Sequence, residues 1–153
     1  MGQQGKHLNS IKVSHEKHTA GCATEIMAIP ETVCISMSQH IGAPCKPLVK
    51  KGDQVKVGQL IGDTDAFVSA PIHSSVSGTV KEISTIRSVT GGDDQVVIIE
   101  TDGNQDVYEE IKPPVINDMK DFIAAVRASG LVGLGGASFP THIKLNPKNL
   151  EEV

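Results

Sequence analysis

Apolar and polar positions alternate with a period of two over several short stretches of this chain, and one stretch carries the longer helical period. Val33, Ile35 and Met37 alternate with smaller or more polar residues, predicting a first strand over 32–37. A turn-rich run, Ile41 to Pro47, leads into Leu48-Val49. In Val49 to Gly62 the apolar positions come in pairs cut short by glycine. Gly52-Asp53 has the chemistry of a tight turn, since glycine tolerates a positive φ and aspartate bonds nearby backbone. Gly58 and Gly62 punctuate two further short strands. Phe67 to Pro71 and Ser75 to Ile83 continue the pattern. After Gly91-Gly92-Asp93-Asp94, the run Val96 to Glu100 predicts the last strand. Short strands separated by Gly-Asp and Ala-Pro turns are what a small sandwich or barrel requires.

The helical period lies behind Pro113-Pro114, which reads as a linker. Met119, Phe122, Ile123 and Val126 fall at i, i+3, i+4 and i+7 and predict a helix over 118–129. Asn117 is the expected N-cap, Asp118 and Asp121 suit the positive end of the dipole, and Gly130 is the expected stop.

Aromatic residues are 3% of the 153, with no Trp, so the core must come from Val, Ile, Leu and Ala. The formal charge is −4, from 14 basic and 18 acidic residues, and no stretch interleaves basic with aromatic residues. That excludes nucleic acid as an expected partner. No apolar run approaches the roughly 20 residues that span a bilayer. Met1 to Ser10 is polar, without the apolar core of a secretory signal, and Lys6 stands where a myristoylation signal needs Ser or Thr. The expectation is a soluble, cytoplasmic chain whose membrane link comes through a partner. Cys22, Cys34 and Cys45 are odd in number and contain no C-x-x-C, which argues against a disulfide framework and against a local iron–sulfur motif. They read as reduced thiols. His15, His18 and Cys22 have a spacing that could trap a metal, but stand in a polar arm without a supporting motif, so no metal site is expected. No Ser-His-Asp or Cys-His set is visible, and no catalytic residue is assigned.

Directly after the helix comes Gly130-Leu131-Val132-Gly133-Leu134-Gly135-Gly136-Ala137-Ser138-Phe139-Pro140-Thr141-His142-Ile143-Lys144-Leu145. Bare backbone of this kind lets amide N–H groups approach an anion or a flat ring. Amides from Gly133 to Ala137 with the charge of Lys144 would hold a phosphate. Ser138 is a candidate N-cap for a short following helix, with Pro140 in its first turn, and a helix N-terminus there suits a phosphate. On composition alone the same run reads first as a mobile connector after a helix that Gly130 ends. A dinucleotide fingerprint is not expected, because a helix rather than a strand precedes the loop.

Two resemblances sharpen this. The phrase Val49-Lys50-Lys51-Gly52-Asp53-Gln54-Val55-Lys56-Val57-Gly58-Gln59-Leu60, followed by Ala70-Pro71 and Val76-Ser77-Gly78-Thr79-Val80, resembles the lipoyl and biotinyl domains and their barrel-sandwich relatives. Carrier domains hold their modified lysine at a hairpin tip; here the tip reads Asp63-Thr64-Asp65-Ala66-Phe67, with Ala66 in the lysine position. The resemblance therefore implies the fold and not the carrier function. The glycine phrase from Gly130 to Leu145 resembles the loop of the Rnf complex C subunit and of its relative, the complex I flavin subunit. Ser38 to Pro44, Phe67 to Gly78 and Lys112 to Val115 look like the Rnf protein in particular.

Together these imply a mainly β chain. A polar arm (1–29) precedes a lipoyl/biotinyl-like barrel-sandwich hybrid (30–112). The first helix and glycine loop of a truncated complex I flavin-subunit-like α/β domain follow (113–153). The implied function is the peripheral NADH- and FMN-facing subunit of a membrane-bound ferredoxin:NAD oxidoreductase that couples electron transfer to ion translocation. It would sit at the cytoplasmic face with the other Rnf subunits as partners and ferredoxin reached indirectly. The implied cofactor-loop residues are Gly133, Gly135, Gly136, Ala137, Phe139, Thr141 and Lys144. Iron–sulfur clusters would be bound beyond Val153, and no cofactor is expected to bind this stretch tightly by itself. Leu134 stands where the complex I loop has arginine, and Ser138 where both families have glycine, so FMN contact through Ser138 is not expected. The A subunit of a sodium-pumping NADH:quinone reductase and a non-catalytic docking module remain as other readings. His40 and His73 each sit in a turn phrase of the Rnf-like pattern and could meet across the sandwich, where bonding to loop carbonyls is the expected role.

Overall fold

The computed structural model describes residues 16–88 and 91–147. It is mainly β, with two antiparallel sheets curled against each other. The first contains β1 (Thr32–Ser36), β3 (Gln54–Val55), β6 (Gly78–Arg87) and β7 (Asp93–Thr101), in the order β1-β7-β6-β3. The second contains β2 (Lys46–Pro47), β4 (Leu60–Asp63) and β5 (Ile72–His73), in the order β2-β4-β5. Two helices follow, α1 (Met119–Ala128) and α2 (Thr141–Lys144). No helix among the described residues is long and apolar enough to cross a membrane.

The period-two pattern decides which face is inside. Val97 and Ile99 of β7 are buried, as are Ile35 of β1 and Val80 of β6. Val55, Ile61 and Ile72 meet them from the other strands, and Met37, Cys45, Val49 and Val76 join the cluster from the connections. With no large aromatic ring inside, interlocking aliphatic side chains fill the space between the sheets. The Gly52-Asp53 turn forms as its chemistry predicts. Gly52 takes φ +90° and donates to the Val80 carbonyl at 2.8 Å, while the Asp53 carboxylate accepts from the Lys50 amide at 2.9 Å.

The strands differ from the sequence pattern in length. The β6–β7 hairpin runs past the apolar core, pairing Thr85 with Gln95 and Arg87 with Asp93. Ladder hydrogen bonds need no apolar side chains, so a hairpin can continue where the pattern stops. A register shift between Val80 and Glu82 marks a bulge in β6. Beyond β7, Val57 bridges Val107, with the Val57 amide donating to Asp106 and the Tyr108 amide donating back to Val57. This ties the start of the linker to the sandwich.

Helix α1 forms where its period predicts, with one correction at the start. The N-cap is Asp118, whose carboxylate accepts from the Asp121 amide at 2.8 Å. Asn117 lies one residue before it and donates from both its amide and its side chain to Asp121. Asp121 reaches back over the helix end, so the capping function falls on Asp118. Gly130 ends the helix at φ +71°, and a Cβ there would collide with the Pro71 carbonyl oxygen. The stop residue is therefore also the point where the helix end meets the sandwich.

Candidate functional site

The glycine loop is a closed, self-bonded turn. Val132 and Pro140 pair as an antiparallel bridge, the Gly133 amide donates to the Phe139 carbonyl at 3.0 Å, and the Thr141 amide donates to Leu131 at 3.0 Å. The loop thus leaves α1, runs out to a tip over 134–137, and returns to α2 beside its own start. Gly133, Phe139 and Lys144 come together at its base. The Lys144 ammonium lies 5.8 Å from the Phe139 ring centre, and a Cβ on Gly133 would come 3.4 Å from that ammonium. Thr141 joins them through its backbone, which closes the loop. Gly135, Gly136 and Ala137 stand apart at the exposed tip, and Leu134 is 99% exposed.

Three expectations about this loop change. Gly133 does not offer its N–H to a ligand, because Phe139 takes it; at the tip, the amides of Gly135, Gly136 and Ala137 have no hydrogen bond among the described residues. Ser138 is not an N-cap. It takes φ +50° and turns the tip back toward Phe139, while Pro140 stands at the start of α2 with no side-chain cap. A left-handed conformation costs an L-residue roughly 1–2 kcal/mol, which gives a physical reason for glycine at this position in similar loops. Finally, α2 is a single turn whose first amide, that of Thr141, is already bonded to Leu131, so it presents no helix-end anion site.

Gly135 and Gly136 are glycines for which the fold supplies no reason. Neither has a positive φ, and a Cβ on either would meet nothing within 4 Å. Bare backbone here leaves room for something outside the chain.

His40 and His73 both line one small cleft of about 120 Å³ with Pro71, Gly130 and Val132, where the sandwich meets the loop. His40 is a structural residue. Its Nε2 accepts from the Ala70 amide at 3.1 Å, which leaves Nδ1 to donate to the Ile41 carbonyl at 3.1 Å. The structure also brings Cys45 within 3.5 Å of His40 Nε2, a Cys-His pair that their spacing in sequence did not reveal. It is not a nucleophile: burial, with Asp63 adding to it, pushes the Cys45 thiol up to about 11, and the thiol donates to the Ala70 carbonyl at 3.2 Å. His73 is held below its ordinary value by burial, partly offset by Asp63.

The hairpin tip that resembles a carrier site is folded on itself. Ser69 donates to the carbonyls of Ala66 and Thr64 at 2.6 and 3.3 Å, and Asp63 binds Arg127. At the N-terminal side, His15 lies outside the described residues, His18 pairs with Glu16 at 2.9 Å, and Cys22 is exposed. No group of three or more potential metal ligands exists among the described residues. A cleft of about 630 Å³ lies away from the glycine loop; Leu60, His73, Tyr108, Ile111, Pro114 and Ala125 line it, between sandwich, linker and α1.

Two curled antiparallel sheets, Gly-Asp turns and a lipoyl-like tip without an acceptor lysine define a barrel-sandwich hybrid. The family model of the RnfC barrel sandwich hybrid domain matches residues 6–104. The chain belongs to the RnfC family. The C subunit of the proton-translocating ferredoxin:NAD(+) oxidoreductase complex of Clostridium ljungdahlii is 46% identical over 136 residues, covering 86% of this chain and 30% of that protein. Its Na(+)-translocating counterpart from Acetobacterium woodii is 50% identical over 119 residues, covering 76% and 27%. The C subunit of the ion-translocating oxidoreductase complex of Rhodobacter capsulatus is 35% identical over 138 residues, covering 87% and 26%. The chain spans less than a third of the length of these relatives.

Proposed function

We propose that this chain is the nucleotide-facing portion of the C subunit of an ion-translocating ferredoxin:NAD oxidoreductase, and that its glycine loop contributes to the NADH and FMN site. The observation that carries the reading is the tip at Gly135 and Gly136. Neither glycine is required by φ or by packing, their amides are unbonded among the described residues, and Lys144 stands at the loop base. Backbone N–H groups with a nearby ammonium suit a phosphate, and the space a Cβ would fill suits a flat ring.

The residues fit the group as one wall of a site. Gly135, Gly136 and Ala137 would supply amides, Lys144 a charge, and Phe139 with Thr141 the closed base that keeps the tip in place. Bound FMN supplies the exchange between two-electron and one-electron transfer. Gly133 serves by closing the loop. In this reading the iron–sulfur clusters are held by residues outside this stretch, and attachment to the membrane comes through the other members of the complex.

The test is titration of NADH and FMN into a full-length member of the family bearing this sequence, with Gly135→Val and Lys144→Ala. Removing a charge-assisted contact to a phosphate is expected to weaken binding roughly tenfold for Lys144→Ala. Gly135→Val is expected to weaken it more, because the branched side chain fills the approach. Wild-type affinity in both variants would leave the loop a connector and favour a docking module.

A further inference from the structure

Helix α1 carries the glycine loop at its C-terminal end, yet it is not seated by apolar burial. None of its residues is buried, and Met119 and Phe122 are 52% and 37% exposed. Its polar residues mostly serve the helix itself: Asp121 and Asn117 close the start, and Ser129 bonds back to Val126. Among the described residues, the hydrogen bonds from α1 to the sandwich all come from one side chain. Arg127 donates to both carboxylate oxygens of Asp63, at 2.9 and 3.3 Å, and to the Thr64 carbonyl at 3.1 Å. These three bonds lie on the hairpin tip that a carrier domain would use for its lysine.

Arg127 also stands beside the far end of the loop. It lines a cleft of about 420 Å³ with His142, the second residue of α2. His142 is held below its ordinary value by burial first and then by Arg127, and its buried Nδ1 has no partner among the described residues. The loop thus starts three residues after Arg127, against the Pro71 carbonyl, and runs into α2, whose His142 shares a cleft with the Arg127 side chain.

We propose that Arg127 is the positioning residue of the glycine loop, fixing its base to the repurposed carrier hairpin through Asp63 and Thr64. A planar guanidinium forks onto a carboxylate and still reaches a carbonyl, which an ammonium cannot do with the same geometry. Asp63 and Arg127 are partly exposed, so their role is orientation more than overall stability. The consequence for nucleotide binding rests on the function proposed above; the mechanical role does not.

The experiment separates the two. Amide exchange in the 153-residue chain reads the loop closure at Gly133 and Thr141, with Val97 and Ile99 as reporters of the sandwich. Arg127→Met and Asp63→Asn are each expected to speed exchange at Gly133 and Thr141 roughly tenfold, with Arg127→Lys intermediate and the sandwich reporters unchanged. The double variant is expected to match Arg127→Met, because removing the guanidinium already removes both of its bonds to Asp63. Unchanged loop exchange in both singles, or equal loss at the sandwich reporters, would overturn the proposal. In the full-length protein, the same variants are expected to raise the KM for NADH several-fold with kcat kept, by loosening binding before chemistry. Faster loop exchange with an unchanged KM would confirm the strut and refute the nucleotide role of the loop.

Discussion

The Ala70 amide donates to Nε2 of His40 at 3.1 Å, joining two loops 30 residues apart at the point where the sandwich meets the glycine loop. Both groups are buried. The opposite ring nitrogen donates to Ile41, and the Cys45 thiol fills the remaining space and bonds the Ala70 carbonyl. His40 therefore supplies the acceptor for the buried Ala70 amide. His40→Ala is expected to destabilise the chain by about 1–3 kcal/mol, the usual cost of an orphaned buried amide. Urea denaturation checks this, and a change in unfolding free energy below a tenth of that size would show that the contact is dispensable.

How far the sequence reached is clear from these residues. The sandwich was legible because its determinants are local: Gly52-Asp53 makes a turn by its own chemistry, and Val33, Ile35 and Met37 alternate with smaller or more polar residues and face the core. The helix was legible for the same reason, save for the shift of its cap to Asp118. The loop was legible as a glycine-rich element but not in its wiring, because the bonds from Gly133 to Phe139 and from Thr141 to Leu131 are contacts of the folded turn. The left-handed Ser138 had a signal, since serine stands where similar loops have glycine. Arg127 with Asp63 had none, because a pairing across 64 residues follows only from the assembled fold, and Cys45 with His40, though five residues apart, depends on how the β1–β2 connection folds.

Asp102 gives the chain a predictable response to acid. The Ser77 hydroxyl, 2.6 Å away, and then the Asn104 amide hold its carboxyl below the ordinary 3.8. A depressed value means that the folded state favours the ionised form. The resulting stability is present above the unfolded value and is lost as pH falls through the folded one. Asp102→Asn is thus expected to be less stable than the parent at pH 7, with the difference closing as pH falls through the depressed folded-state value. Denaturant midpoints across about pH 2–7 test this, and a constant difference would assign the effect to packing around Ser77.

The three cysteines should separate by reactivity. Cys22 and Cys34 are exposed, whereas Cys45 is buried and its thiol is pushed up to about 11. At about pH 8 Cys45 is almost wholly protonated, and the thiolate is the reacting form. Two thiols are therefore expected to react promptly with a disulfide reagent under native conditions, and the third only after unfolding. Peptide mass mapping identifies them, and rapid labelling of Cys45 would mean that the cleft beside His40 opens.

The hairpin tip makes a prediction about modification. Ala66 has no amine, its carbonyl accepts from Ser69, and the neighbouring Asp63 is held by Arg127. An acceptor lysine in a carrier domain must project freely from such a tip. Co-expression with biotin or lipoate ligase is expected to leave the intact mass unchanged, and a stoichiometric adduct on any lysine would overturn the assignment.

The last prediction concerns how much of a flavin site this stretch can hold. The tip offers Gly135, Gly136 and Ala137 amides, and Lys144 offers a charge, but Leu134 is 99% exposed and a Cβ on either tip glycine would meet nothing within 4 Å. One wall is present and the described residues provide no second. A flat cofactor needs most of its surface covered, and binding to one face leaves the cost of immobilising it largely unopposed. FMN and NADH are therefore expected to bind the 153-residue chain with Kd weaker than about 1 mM, near −4 kcal/mol. A full-length protein bearing the same sequence is expected to bind at least about a hundredfold tighter, which is some 2.7 kcal/mol. Fluorescence titration of FMN against both decides the matter. Micromolar binding by the shorter chain would mean that the cleft between sandwich and α1, rather than the glycine tip, completes the site.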